Sequence, residues 1–395
     1  MAVQTSPPAA PGSSPASPTH TGDPDVVRVL RDDGSLDETA LRRPAFAGSD
    51  PSAGPHLDPE TVVAIYKHLV MVRILDERLV TLQRQGRIGF HIGSLGEEAA
   101  IVGSAAAIRA QDWLFPCYRE FGAALWRGMT LQAYMNNMFG NGDDPAKGRQ
   151  MPDHYTCRAA KFGSISSPIG TQITQAVGFA WAAKIKRDDL ATLVYFGEGA
   201  TSSAEFHNGM NFAGVFKTPT VFFCRNNGWA ISVPVERQTA SESFAVKGVA
   251  YGIPGVRCDG NDLFAVYKCT REAIAHAASG RGPILVEAMT YRLSGHSTSD
   301  DPKAYRKEGE VEAWKKRDPI ARLGKHLRTK NLWDDGKQQA LEAAVEQQIK
   351  DAVAAAEKVP APPLESMFED VYAEPPWHLQ EQRDALLRGP RAKGH

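Results

Sequence analysis

Short apolar runs separated by stretches with helical spacing constrain this chain more than any other feature. They are Ala191-Thr192-Leu193-Val194-Tyr195-Phe196, Thr220-Val221-Phe222-Phe223-Cys224 and Ile284-Leu285-Val286-Glu287-Ala288-Met289. Each is bounded and short, the pattern of a strand buried on both faces. Helical patterns run between them, from Ala204 to Phe216 and from Leu263 to Ala278. Strands alternating with helices imply an α/β fold: a parallel sheet flanked by helices. Ligands in such sheets sit at the carboxyl ends of the strands, so the loops after these runs are where chemistry is expected.

The flanks read differently. Residues 1–22 are rich in Pro, Ala, Ser and Thr and predict a disordered tail. An extended arm follows to about Leu57, with a strand-like Val26-Val27-Arg28-Val29-Leu30 expected to lie along a surface, its own or that of a partner. Asp58-Pro59 then opens a helix, Asp58 as N-cap and Pro59 at the first helical position. Val62, Ile65, Tyr66, Leu69, Val72 and Leu79 keep its apolar face, and Gly86 and Gly89 end it. Past Asp318 the chain turns helical and charged, broken near Pro360-Ala361-Pro362-Pro363. The expected division is a tail and arm over 1–57, an α/β domain over 58–323 and a helical C-terminal region over 324–395.

Composition excludes several classes. Of 395 residues 42% are apolar, enough for a sizeable core, and the net charge of −1 offers no basic stripe for nucleic acid. No apolar run approaches the roughly 20 residues of a membrane helix. The five cysteines are scattered, with no C-x-x-C pair, and read as free thiols in a reducing cytosol. Residues 1–22 contain neither Lys nor Arg, so neither a secretory signal nor an arginine-rich presequence is legible, and a cytoplasmic protein is expected.

The first apolar run leads directly into Gly197-Glu198-Gly199-Ala200, and about thirty residues later the second leads into Arg225-Asn226-Asn227-Gly228-Trp229. Both loops leave the same edge of one sheet. Glu198 supplies a carboxylate, Asn227 a side-chain carbonyl and the chain near Trp229 a backbone carbonyl, an oxygen set suited to magnesium. Gly197 and Gly199 let the backbone approach a diphosphate, Arg225 ends a strand where a phosphate contact is expected, and the helix near Ala204 offers N–H groups. Alone, Gly-Glu-Gly is an ordinary strand-to-helix turn with a solvated acid. A dinucleotide fingerprint fails, because Ser202 stands where its third glycine belongs.

The stretch from Gly197 to Asn227 resembles the thiamine-diphosphate signature, Gly-Asp-Gly followed by Asn-Asn, with Glu in place of Asp. Gly148-Arg149-Gln150-Met151-Pro152, Ile165-Ser166-Ser167-Pro168, Phe222 to Asn227, Ala288 to Arg292 and Gly295-His296-Ser297-Thr298-Ser299-Asp300-Asp301 resemble the alpha subunits of branched-chain 2-oxo acid dehydrogenases. The similarity runs from about Asp58 to Leu323. Pyruvate and acetoin dehydrogenase alpha subunits share the layout and stay as alternatives, as does a cofactor-binding subunit that is catalytically silent.

The resemblance implies a transketolase-like diphosphate-binding domain that uses thiamine diphosphate and magnesium. It implies a beta subunit in an α2β2 assembly and a lipoyl acyltransferase as partners, with a small 2-oxo acid as substrate. It places Tyr118, Arg119, Arg225 and His296 on the cofactor diphosphate, with Gly197, Gly199 and Ala200 in its loop. Ser167 and the Ile169 carbonyl would hold the aminopyrimidine ring, and Ser166, Pro168, Thr171 and Gln172 a potassium ion. His296 would also bond the reacting groups, exchanging protons near neutral pH. Ser297 matches a serine phosphorylated in animal enzymes, and Cys117 stands where a polar side chain is expected.

Overall fold

The computed structural model describes residues 25–54 and 56–390. The tail expected to be disordered, 1–22, lies outside the described residues. The strands are β1 (Val26–Val27), β2 (Trp113–Phe115), β3 (Thr192–Gly197), β4 (Thr220–Asn226), β5 (Trp229–Ala230), β6 (Val233–Pro234), β7 (Gly255–Asp259) and β8 (Ile284–Met289). Six of them form one wholly parallel sheet in the order β1-β7-β8-β4-β3-β2, while β5 and β6 make a small antiparallel hairpin. The α/β class is as expected, and the expected runs became β3, β4 and β8.

Those runs lack alternation because both sheet faces are buried. Leu193, Tyr195, Val221, Phe223 and Val286 enter a large core shared with helices Pro59–Arg84, Glu98–Ala107 and Leu263–His276. Their neighbours Val194, Phe196, Phe222, Cys224 and Leu285 enter a second core under helices Thr171–Lys186 and Ala204–Phe216. Period two sends alternate residues to opposite faces, and both faces are apolar. Strands β2 and β7 were not anticipated: the first is three residues long, and the second carries Arg257 amid its short run.

Helix Pro59–Arg84 starts as its sequence predicts, with the Asp58 carboxylate accepting the Thr61 amide at 2.8 Å. It stops before Gly86, which takes a φ of +71°. The strand-like start of the arm forms a strand: Val26 and Val27 pair with Arg257 and Cys258, closing the edge of the chain's own sheet. The Asp262 carboxylate then accepts the amides of Val29 at 2.6 Å and Leu30 at 2.7 Å. The reason is that β7 is otherwise an open edge with unpaired backbone groups, and the arm satisfies them. Among the described residues no helix is long and apolar enough to cross a membrane.

Candidate active site

Four loops leave the carboxyl ends of β2, β3, β4 and β8 and converge on one cavity of about 410 Å3. Tyr118 and Arg119 come from the first, Gly197 to Ala200 from the second, Arg225, Asn227 and Trp229 from the third, and Arg292 and His296 from the last. Ser167, Ile169 and Gln172 line it from the start of helix Thr171–Lys186. The registers explain the meeting: Gly197 pairs with Arg225, and Asn226 with Met289, so the loops begin at one level. Ser166, Pro168 and Thr171 are not brought to the cavity wall. Thr171 Oγ1 donates to the Pro168 carbonyl at 3.1 Å, and Gln172 Nε2 to the Tyr195 carbonyl at 2.9 Å.

The loop after β3 is a tight 3-10 turn, Glu198–Ser202, rather than the start of the next helix. Helix Ala204–Phe216 begins after it, capped by Ser203, whose Oγ accepts the Phe206 amide at 3.3 Å. Gly199 is required by contact: a Cβ there would lie 2.7 Å from Ala230 Cβ. At Gly197 a Cβ would meet nothing within 4 Å, so the space over that backbone is open to a ligand.

Glu198 is 1% exposed. Its carboxylate accepts the Asn227 amide and Gln238 Nε2, both at 3.2 Å, and no Lys or Arg pairs with it among the described residues. Burial pushes its carboxyl pKa up, opposed by those hydrogen bonds and aided by nearby Glu97. A buried carboxylate without a counter-cation is a poor structural element and a good ligand for a hard cation. Asn227 Oδ1 accepts the Trp229 amide at 3.2 Å, which brings the expected metal-binding loop residues together. No group of three or more His, Cys, Asp and Glu that would hold a metal occurs among the described residues. The Glu198 set is of another kind, with a single carboxylate and amide oxygens.

Arg119 is 2% exposed and bridges the cavity walls. Its Nη1 donates to the Gly93 carbonyl at 2.5 Å, and its Nη2 to His296 Nδ1 at 3.0 Å and to the His296 carbonyl at 2.8 Å. A guanidinium only donates, so His296 Nδ1 accepts and the ring proton sits on Nε2. Burial, with Arg119 and Arg292 alongside, pushes the His296 imidazole down to about 3. In this environment the ring is uncharged and can donate through Nε2. Arg225 ion-pairs with Glu97, and with Glu120 at 2.5 Å, while still lining the cavity. Burial and the Glu120 charge push the Cys117 thiol up to about 12, so it is an uncharged wall.

Residues not assigned a role from sequence also sit here. His154 hydrogen-bonds Ser167, and Arg292 donates to the Trp229 carbonyl at 3.3 Å and to the Ile231 carbonyl at 2.6 Å. Arg292 was findable: it follows β8 as Arg225 ends β4. Glu97 gave no signal, because its partner Arg225 is 128 residues away.

An arginine-lined, glycine-floored cavity beside a buried unpaired carboxylate, at the carboxyl ends of parallel strands, defines a cofactor-binding α/β enzyme domain. The family model described as dehydrogenase E1 component matches residues 66–365, and the chain belongs to that family, which depends in general on thiamine diphosphate. The chain is 46% identical over 339 residues to "2-oxoisovalerate dehydrogenase subunit alpha, mitochondrial" of Caenorhabditis elegans, covering 85% of this chain and 78% of that one. It is 45% identical over 340 residues to the proteins of the same name from Bos taurus and Homo sapiens, covering 86% of this chain and 75% and 76% of theirs. These relatives overturn the cytoplasmic expectation, since each is named as mitochondrial.

Proposed function

We propose that this chain is the alpha subunit of a branched-chain 2-oxo acid dehydrogenase. It would decarboxylate such acids and pass the acyl group to a lipoyl group on an acyltransferase, in an α2β2 assembly with a beta subunit. The observation that carries the reading is the convergence of Glu198, Asn227, Trp229, Arg119, Arg225 and His296 on one cavity. The names of the relatives support the substrate class, and Phe90, Ile92, Cys117, Met151 and Ile231 give the cavity apolar wall for an aliphatic side chain.

When bound, thiamine diphosphate supplies a nucleophilic carbon and an electron sink for decarboxylation. Glu198, Asn227 Oδ1 and the Trp229 carbonyl would hold the magnesium that accompanies its diphosphate. Tyr118, Arg119 and Arg225 would contact the phosphate, and Gly197, Gly199 and Ala200 would let it approach the backbone. Ser167 and the Ile169 carbonyl would orient the aminopyrimidine. Ser166, Pro168, Thr171 and Gln172 would hold a potassium ion that orders this turn. His296, neutral and donating through Nε2, binds the reacting carboxylate. Ser297, half-buried next to it, is the modification site of this reading.

The test is decarboxylation by the complex purified on this chain, with thiamine diphosphate, magnesium and an artificial electron acceptor. 3-Methyl-2-oxobutanoate and 4-methyl-2-oxopentanoate are expected to outpace pyruvate, and the isolated chain to be inactive. A preference for pyruvate moves the protein to that subfamily. Tight cofactor binding without turnover in the full complex supports a silent subunit instead.

A further inference from the structure

A second, fully buried charge cluster lies behind the cavity. The His91 ring is 0% exposed, with Nε2 at 2.9 Å from Asp76 Oδ1 and Nδ1 at 3.0 Å from Asp153 Oδ2. Ionised carboxylates only accept, so each ring nitrogen donates and the side chain is an imidazolium. The groups facing it are few. Asp76 comes from helix Pro59–Arg84 and also accepts the Ser94 amide at 2.6 Å. Asp153 also accepts the Ile92 amide at 2.7 Å and the Tyr134 hydroxyl, from helix Leu131–Phe139, at 2.6 Å. Phe121 presents its ring edge-on at 5.9 Å, Tyr155 lies near Asp153, and Arg119 adds positive charge near Asp76. The two carboxylates hold the ring charged against burial, up to about 10.

The turn that carries His91 touches both walls of the cavity. The His91 amide donates to Thr298 Oγ1 at 3.2 Å, and the Thr298 amide donates back to the His91 carbonyl at 3.0 Å. Two residues on, the Gly93 carbonyl takes the Arg119 guanidinium. A Cβ at Gly93 would lie 2.5 Å from Asp76 Oδ1, so the turn is pressed against the clamp and nothing larger than glycine fits. Its other ends are Arg119, after β2, and the loop of His296, after β8.

We propose that His91, clamped by Asp76 and Asp153, is a positioning residue that sets Arg119 and the 295–300 loop in register across the cavity. It touches no ligand; it acts through its backbone and that of Gly93. The link to cofactor affinity rests on the proposed function above, whereas the ordering of the loop does not. A charged core group serves here because its carboxylates come from separate elements, so neither can move without leaving a buried charge unpaired.

The test uses the complex purified on this chain. Hydrogen exchange is followed over 294–300 and, as a control, over β4 and β8; thiamine diphosphate affinity is measured with magnesium from pH 5.5 to 8.5. In His91→Asn the loop is expected to exchange about tenfold faster with the control strands unchanged, and affinity to fall by about 100-fold, the scale of an ångström of misplacement. Asp153→Asn keeps the volume and the acceptor for Tyr134, and carries the test if the first variant does not assemble. It leaves the ring one carboxylate, so affinity and loop protection are expected to fall as pH rises, a dependence the parent lacks. Parent-like exchange over 294–300 in an assembled variant overturns the proposal. Failure of the parent to bind thiamine diphosphate overturns the functional reading instead, and the exchange data still decide the clamp.

Discussion

Replacing Glu198 by Gln separates the cost of burying this side chain from its use. In the ligand-free protein the carboxylate is 1% exposed with amide donors and no counter-cation. Its folded pKa is raised above the ordinary 4.5, so its contribution to stability is present below that value and is lost as pH rises through the folded pKa. At neutral pH it is therefore a cost, on the scale of several kcal/mol for a buried unpaired ion, reduced by its hydrogen bonds. Glutamine removes the charge and keeps one of the two acceptor oxygens, so one of the two donors loses its partner, a smaller cost than the buried charge. The ligand-free variant should melt at or above the parent. With magnesium and thiamine diphosphate at a hundred times Kd the parent gains about 2.7 kcal/mol. In a chain of this size that is a rise of roughly 3 °C. The variant should show little of that rise, because it loses the one negative charge that the site offers a divalent cation. Differential scanning fluorimetry of the purified complex, with and without both ligands, reads both effects. A variant that melts below the parent at neutral pH, or keeps the ligand-induced rise, refutes the reasoning.

The remaining expectations are narrower. Because His296 is depressed to about 3, stability tied to it is present above its unfolded value near 6.5 and is lost as pH falls below that. The kcat/KM profile of the complex should therefore show no inflection that disappears in His296→Gln; one that does vanish near pH 6.5 contradicts a neutral ring. Asp262→Ala removes a helix cap and strands the Val29 and Leu30 amides, costing about 3 kcal/mol in denaturant unfolding, and a loss under 1 kcal/mol would show the arm is held otherwise. Ser297→Glu places a carboxylate beside His296 and the Arg119 contacts and should cut turnover of the complex at least 100-fold; near-normal turnover sinks that idea.

What was legible from sequence follows chain locality. Gly197 to Ala200 and Arg225 to Trp229 each follow an apolar run within a few residues, so strand and loop are read together, and the parallel sheet then dictates that they meet. His296 and Tyr118 needed more: no spacing connects them, and only the resemblance of their segments brought them in. The edge strand β1 was legible as strand-like but its place in the sheet was not, because its pairing partner, Arg257-Cys258, carries no strong strand signal of its own. Glu97, Glu120, Asp76 and Asp153 were silent for another reason. Each is an acid whose partner is distant in sequence, and a buried ion pair leaves no periodic trace.

Those silent acids alter how the cavity is to be understood. Arg119, Arg225 and Arg292 line it, and a reading from sequence would call it an anion site. In the fold Arg225 is paired with Glu97 and Glu120, Arg119 lies 3.8 Å from Glu97, and Glu198 adds another carboxylate. Three guanidiniums thus face three carboxylates, and the cavity is near charge balance before any ligand enters. A diphosphate alone would meet Glu198, and a divalent metal alone would meet the arginines; each pays for the other's charge. The balance is kept only when both arrive, so the affinity of each should depend steeply on the other. The coupling belongs to Glu198, the carboxylate that no arginine has claimed, and it is the reason that neutralising this side chain should abolish the joint effect while leaving the fold intact.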